Sequence, residues 1–410
     1  MTPAVLRRVV EFYLDLHQHP ELSGAEERTA AAFADRLAAL GYDTLRGVGG
    51  HGVAGVLRRG PGPAVLLRAE LDALPVAERT GLPYASTATA TDPASGRVVP
   101  VMHACGHDVH LACLAGAAEL LAADDWRGTL IVVGQPAEET LSGARAMLAA
   151  GLYDRVGVPD VVLAQHTAPL PAGMVAHGTG PVLAGSAAVR LVLPGVGGHA
   201  AVAGLAVNPI GIAARLVPRL TALGPDVAVT VGALHAGERA NVVPDSATLE
   251  VSLRSFGRPE LDAALAAVRA LAVHECAAAG APGEPVVTVL GRSPVTVCDP
   301  AAAGPVRAAH LAAFGAARVA GWPPSLATED VGLFAAAGAE LHGRPDIALA
   351  HWMLGTVGPR RWAALSGPAA ARLAAVPPNH SPEFAPDPRP TLTTGLRALT
   401  LAARAHLPAP

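Results

Sequence analysis

Short β-branched or leucine-rich runs alternate with stretches of helical periodicity through the first 180 residues. That alternation restricts the fold more than any other feature of the chain. Helical periodicity covers 4–17 and 25–40, and Gly41 is placed to end the second helix. Runs at 65–68, 129–133 and 161–164 read as buried strands, with helices expected between them at 108–123 and 142–150. Continuously apolar runs belong to parallel strands covered on both faces. The expected class is therefore α/β with a mostly parallel sheet.

Near residue 185 the pattern changes. A strand at 186–193 leads through GVGG (195–198) to a helix at 208–220, then strands at 227–234 and 246–254. A helix at 259–279 and a strand at 285–290 complete a β-α-β-β-α-β order, the split βαβ pattern of ferredoxin-like modules. A chain of 410 residues exceeds a typical domain of ~150. We therefore expect 185–297 to be an α+β domain inserted into one built from 1–184 and 298–410.

Composition excludes several classes of function. With 51% hydrophobic and 16% charged residues the chain can bury a large core, so it is not disordered. All 30 basic residues are arginine, which excludes a lysine Schiff base and a lysine-dependent phosphate loop. Net charge is −4 without a basic stripe, so no nucleic-acid partner is expected. No apolar run approaches the ~20 residues of a membrane span, and Glu11 and Asp15 interrupt any secretory pattern at the N-terminus. Cysteines at 105, 113, 276 and 298 are too few and scattered for a disulfide framework, which points to the cytoplasm. Cys113 and Cys276 fall in alanine-rich helical stretches and read as core.

The densest chemistry lies in MHACGHDVH (102–110). Cys105 and His107 stand two apart, so an extended backbone would project both to one side, where thiolate and imidazole suit zinc or a similar metal. The next helix is expected to begin near Asp108 as its cap. GQPAEE (134–139) follows a strand directly, at the carboxyl end where open α/β sheets collect ligands. Adjacent glutamates are expected to face apart and divide the labour, one binding metal and one handling protons. Taken alone, an acidic helix start explains them equally well. His166 ends the run 161–166, and VPPNHSPEF (376–384) is a proline-pinned loop around His380. Together Cys105, His107, Glu139, His166 and His380 are enough ligands for two ions. A glycine pattern at 47–52 lacks the following helix of a dinucleotide site, and no Gly-x-Ser-x-Gly elbow is present.

These motifs resemble those of the dinuclear-metal aminoacylase and carboxypeptidase superfamily, in the branch of hippurate hydrolases and auxin-conjugate hydrolases. The resemblance runs through HQHPELS (17–23), RAELDALP (68–75), 103–110, 135–139, GGHA (197–200), NVVPD (241–245), TED (328–330) and the His380 loop. It implies a metal-dependent amidohydrolase acting on N-acyl amino acids, with two divalent ions, zinc or manganese first and cobalt or nickel next. Cys105, His107, Glu139, His166 and His380 match the ligands. Glu138 matches the general base, and Asp72 an aspartate beside the metals. His199 matches a lid histidine that reaches the substrate carbonyl, supplied in related enzymes by the partner subunit. Asn241 matches a lid residue near the substrate, and Arg254 is placed by charge and position to clamp a carboxylate. His103 and Asp108 would orient the ligands. The inserted domain would act as lid and dimerisation surface, so a homodimer is expected.

Departures from the branch occur at Glu70, where aspartate is usual, at Val196, where a basic residue is common, and at Ala203, Gly204 and Ala327. None removes a ligand or the base. They point to a larger or less acidic amide than the usual small N-acyl amino acid. A dipeptidase, or a catalytically silent binding protein on the same scaffold, are the alternatives.

Overall fold

The computed structural model describes residues 2–93 and 95–410, and at 203 the backbone alone. The chain opens with α1 (Pro3–Gln18), whose Thr2 cap accepts the Val5 N–H and whose first residue is a pre-organised proline. Val5, Val9, Phe12, Tyr13 and Leu16 form its buried stripe. After α2 (Glu27–Ala39) come β1 (Asp43–Val48), β2 (Gly52–Arg59) and β3 (Ala64–Glu70). The glycines at 47–52 thus make a hairpin turn between β1 and β2. Further along are α3 (His107–Ala122), β4 (Gly128–Gln135), α4 (Gly143–Ala149), β5 (Val161–Pro171) and β6 (Val175–His177).

The middle of the chain holds β7 (Gly185–Pro194), α5 (Pro209–Thr221), β8 (Ala228–His235), β9 (Ser246–Ser255), α6 (Arg258–Ala278) and β10 (Val286–Ser293). The last stretch adds α7 (Pro300–Phe314), β11 (Val319–Gly321), β12 (Ala348–Val357) and α8 (Pro388–His406). The sequence placed the elements it named within a few residues, with two corrections. The strand at 161 continues to Pro171, and α3 begins at His107 rather than at a cap on Asp108. Gly106 occupies the cap position instead, with φ 82°.

The chain divides into two units. One comprises the chain to Val182 with Val297–Pro323 and Asp330–Pro410; the other comprises Leu183–Thr296 and Pro324–Glu329. The first contains an eight-stranded sheet in the order β1-β2-β4-β3-β5-β12-β6-β11. The pairs β3–β4, β3–β5, β5–β12 and β6–β11 are parallel; β1–β2, β2–β4 and β6–β12 are antiparallel. The central strands β3, β4 and β5 are buried along most of their length, because helices cover the sheet. In the second unit β8-β9-β7-β10 form an antiparallel sheet. Ala187, Val189, Leu191 and Leu193 of β7 pack under α5 and α6, the ferredoxin-like arrangement. Among the described residues no helix is long and apolar enough to cross a membrane.

α3 is buried on nearly every face from His107 to Ala118, which its small residues permit. At Gly116 an added Cβ would lie 2.4 Å from Val9 Cγ2 on α1 and 3.1 Å from Leu396 Cδ1 on α8. Alanine gains about 1 kcal/mol over glycine in an open helix. Here overpacking against the stiff valine should cost about 1–3 kcal/mol. Gly116→Ala is therefore expected to lower the midpoint of denaturant unfolding with an unchanged slope. A raised midpoint would show that α1 yields at this contact.

Candidate metal centre

Asp72 follows β3 by two residues and is fully buried. Its backbone carbonyl accepts from His107 Nδ1 at 2.8 Å, and its Oδ1 lies 3.2 Å from the same nitrogen. Its Oδ2 accepts from the Ser23 hydroxyl at 2.7 Å and from the Glu139 backbone N–H at 2.9 Å. With Nδ1 held as a donor, His107 presents Nε2 as a lone pair. His166 is set in the same way: Nδ1 bonds the Thr167 carbonyl at 2.8 Å, so Nε2 faces Cys105 Sγ at 3.5 Å.

The backbone around Cys105 is a turn rather than extended chain. Gly106 then takes a left-handed conformation, and a Cβ there would meet Thr167 Oγ1 at 2.8 Å. The pairing of Cys105 with His107 therefore arises from a tight turn into a helix start, not from alternation along a strand. Thr167 Oγ1 and Asn379 Nδ2 both donate to the Cys105 carbonyl, at 2.7 and 3.0 Å. On the far loop His380 has φ 70°, a strained value for a residue with a side chain. Its N–H donates to the Ala104 carbonyl at 2.8 Å, and its Nε2 lies 3.3 Å from Cys105 Sγ.

The two glutamates depart from expectation. Both carboxylates reach His107 Nε2, Glu138 at 3.7 Å and Glu139 at 3.8 Å, instead of facing apart. The cause is the turn after β4, where Ala137 has φ 51° and bends the chain so that neighbouring side chains converge. No helix begins at these residues, since α4 starts only at Gly143. Glu139 Oε2 also lies 3.4 Å from His380 Nε2.

Two triads result, Cys105–His107–His166 and Cys105–Glu139–His380, and within each the ligand atoms lie within 4.8 Å of one another. Cys105 belongs to both. His107 with Glu138 and Glu139 forms a third such group. His107 Nε2 and Glu139 Oε1 are buried without a hydrogen-bond partner, which ordinarily costs about 1–3 kcal/mol per group. A divalent cation answers both orphan atoms, and the thiolate, imidazole and carboxylate donors fit a borderline metal. The charges agree. Cys105 and Glu139 push the pKa of His380 up to about 10. Burial disfavours a charged His107, but Cys105 and Asp72 outweigh it and hold its pKa well above the usual range. His166 is pushed down, by burial first and by His110 next. The cluster calls for positive charge.

Several supports stand behind these residues, and Glu26 and Arg68 among them were not legible beforehand; Asp108, expected to orient a ligand, bonds His17 instead. Glu26 Oε1 accepts the Gly24 N–H at 2.7 Å and the Ala137 N–H at 2.8 Å, fastening the turn that carries Glu138. Glu70 Oε2 meets His110 Nδ1 at 2.6 Å, and His110 Nε2 accepts the Thr167 N–H at 2.8 Å. Arg68 binds Glu70, Gln135 Oε1 at 2.8 Å and Asp330 Oδ1 at 3.1 Å, all buried. Asp108 accepts from His17 Nδ1 at 2.6 Å, and His17 Nε2 lies 3.2 Å from Glu78. Burial opposes a charged His17, yet these two acids raise its pKa to about 10. His103 is buried with both ring nitrogens unpartnered, and burial lowers its pKa to about 4. It orients no ligand through a hydrogen bond. A side chain that bonds the backbone of a distant segment leaves no pattern in sequence, which is why Glu26 was passed over.

The remaining candidates lie in the second unit. His199 and Val242 are paired in a two-residue ladder, and the Ala200 N–H donates to the Asn241 carbonyl at 3.0 Å, so His199 and Asn241 are brought side by side. Both are exposed. His199 Nδ1 accepts the Ala201 N–H at 3.0 Å, leaving Nε2 as the donor. Arg254 stands apart on β9, donating to the Leu326 carbonyl at 2.7 Å. Val196 is exposed and pairs with Val207; the side chain of Ala203 lies outside the described residues.

Comparison with known proteins identifies the family. An N-acetylcysteine deacetylase of Bacillus subtilis is 32% identical over 293 residues, 68% of this chain and 73% of that protein. A hippurate hydrolase of Campylobacter jejuni is 35% identical over 250 residues, 59% of this chain and 62% of that protein. Among solved structures, a dinuclear metal-binding M20 peptidase of Bacillus subtilis superposes with a TM-score of 0.74 at 26% identity, covering 98% of this chain and 99% of that one. The profile of peptidase family M20/M25/M40 matches residues 66–352, and the chain belongs to that family.

Proposed function

We propose that the chain hydrolyses the amide of an N-acyl amino acid or a related compound, releasing a carboxylic acid and an amine. The observation that carries this reading is the pair of ligand triads sharing Cys105, with Glu138 beside them. The names of the deacetylase and hippurate hydrolase relatives support the substrate class. Cys105, His107, Glu139, His166 and His380 would hold two divalent ions, zinc or manganese by donor type. Bound there, such ions lower the pKa of water and polarise a carbonyl oxygen. Glu138 takes the proton from the attacking water as its oxygen adds to the amide carbon. It returns that proton to the nitrogen as the C–N bond breaks. Asp72 keeps His107 in the tautomer that ligates.

In this reading 1–184 with 298–410 is the catalytic part, and 185–297 is a lid and dimerisation domain. His199, with Nε2–H fixed as a donor, is suited to the developing oxyanion. Asn241 beside it and Arg254 would hold the substrate, Arg254 through a carboxylate. Strand β8 is an open edge of its sheet with Leu234 exposed, a surface suited to a second copy of the chain. Sedimentation is expected to give twice the mass of one chain. A monomer at micromolar concentration would remove the dimer from the reading.

Three further outcomes test the chemistry. Metal-loaded protein should release amine from a panel of N-acetyl and N-benzoyl amino acids, and a chelator should abolish it. Glu138→Gln should retain its metal and lose about 10²–10⁴-fold in kcat. Near-normal turnover in that variant would overturn the base assignment. Cys105→Ala should lower the metal bound per chain, since it removes a donor from both triads. Unchanged metal stoichiometry would exclude Cys105 as a ligand.

A further inference from the structure

A cavity of about 430 Å³ lies in the first unit, between β6, β11 and the start of α7. None of the metal ligands lines it. Its polar lining comes from His177, Thr179 and Arg307. The hydrogen-bond pattern behind His177 determines what that residue offers. His310 Nε2 faces the Ala398 carbonyl at 3.0 Å, and a carbonyl only accepts, so Nε2 carries the hydrogen. Burial lowers the pKa of His310 to about 4, so it is neutral and its Nδ1 is a lone pair. That lone pair lies 3.0 Å from His177 Nε2, which must therefore be the donor. Burial, with His310 and Arg307 adding to it, pushes His177 down to about 3. Its Nδ1 is thus an acceptor, and it makes no hydrogen bond among the described residues. His177 is only 7% exposed, and what remains exposed lies at the cavity it lines.

The other polar groups are donors. Arg307 is exposed and makes no hydrogen bond or ion pair among the described residues. Trp322 lines the cavity with its other atoms, since its Nε1 is buried away from it, and its backbone N–H ties it to the His177 carbonyl at 2.8 Å. Thr179 adds a hydroxyl. The guanidinium selects an anion, and a planar carboxylate suits its fork. The neutral imidazole acceptor repels a second anionic group and asks for a donor instead.

We propose that this cavity binds a small carboxylic acid bearing a hydrogen-bond donor on the adjacent carbon, an α-hydroxy or α-amino acid. The carboxylate lies against Arg307 and the Thr179 hydroxyl, and the donor reaches His177 Nδ1. No proton transfer or bond change is involved.

The test uses the metal-loaded full chain labelled with ¹⁵N at its four tryptophan indoles. Trp322→Phe identifies the Trp322 signal, and L-lactate, L-alanine and acetate are the probes. Lactate or alanine should shift the Trp322 indole resonance saturably, with acetate at least about fivefold weaker because it lacks the donor. The tighter of the two first probes identifies the donor as hydroxyl or ammonium. Arg307→Gln, a surface change, should weaken binding about tenfold or more while leaving amide hydrolysis unaltered. A Trp322 signal that neither lactate nor alanine moves would overturn the proposal. So would unchanged affinity in Arg307→Gln, or acetate binding as tightly as lactate. Carboxylates that bind only at the metal centre leave this signal in place, so that outcome also counts against the site.

Discussion

One buried carboxylate joins two of the segments that carry the candidate ligands. Asp72 receives the Glu139 N–H from the turn after β4 and the Ser23 hydroxyl from the segment before α2. Through its carbonyl and Oδ1 it also holds His107 at the start of α3. These contacts fix both the tautomer of one ligand and the backbone position of another. Burial opposes its charge, but His107, Glu139 and Ser23 hold its pKa below the usual carboxylate value. A neutral side chain of the same shape would keep part of the geometry. It would lose the charge that balances the imidazole.

The layer behind the ligands follows the same logic at a larger scale. Arg68, Glu70 and Asp330 are fully buried, so each charge depends on its partners. Glu70 joins Arg68 to His110, and His110 in turn receives the Thr167 N–H next to His166. An unbroken series of hydrogen bonds therefore runs from the loop at Asp330 to the backbone of Thr167, beside the candidate ligand His166. The glutamate that departs from the branch's usual aspartate bonds Arg68 through one oxygen and His110 through the other. Its extra methylene extends that reach.

Most of this architecture could be read from the sequence because periodicity reports burial, and burial here coincides with secondary structure. β3, β4 and β5 are continuous apolar runs, and the β-α-β-β-α-β order of the second unit showed in its alternation. The candidate ligands stood out for a different reason: Cys105, His107, Glu139 and His166 are metal-capable side chains in or just after runs that read as strands, or at a helix start, where a chemical role can be suspected without knowing the fold. Local backbone geometry was not legible. Alternation suggested that Cys105 and His107 share a strand face and that Glu138 and Glu139 diverge. Gly106 at φ 82° brings the first pair together by another route, and Ala137 at φ 51° reverses the second argument. Left-handed residues break the periodicity on which such reasoning rests, and an alanine gives no warning of it. Long-range polar contacts such as Glu26 to the Ala137 N–H were equally silent.

The partition of residues between the two units bears on the departures from the family pattern. Every metal-ligand candidate, together with Glu138 and Asp72, belongs to the first unit, and the ligands' tautomers are fixed by bonds made within that unit. Val196, Gly204 and Ala327 belong to the second. There His199 owes its donor nitrogen to the Ala201 N–H, a backbone contact that side-chain changes at 196 or 204 need not disturb. Amide hydrolysis depends on the groups that handle the water and the carbonyl, whereas substrate choice depends on what meets the rest of the molecule. A chain that kept the first set and altered residues around the second would retain its reaction while changing its range of acyl groups or amines.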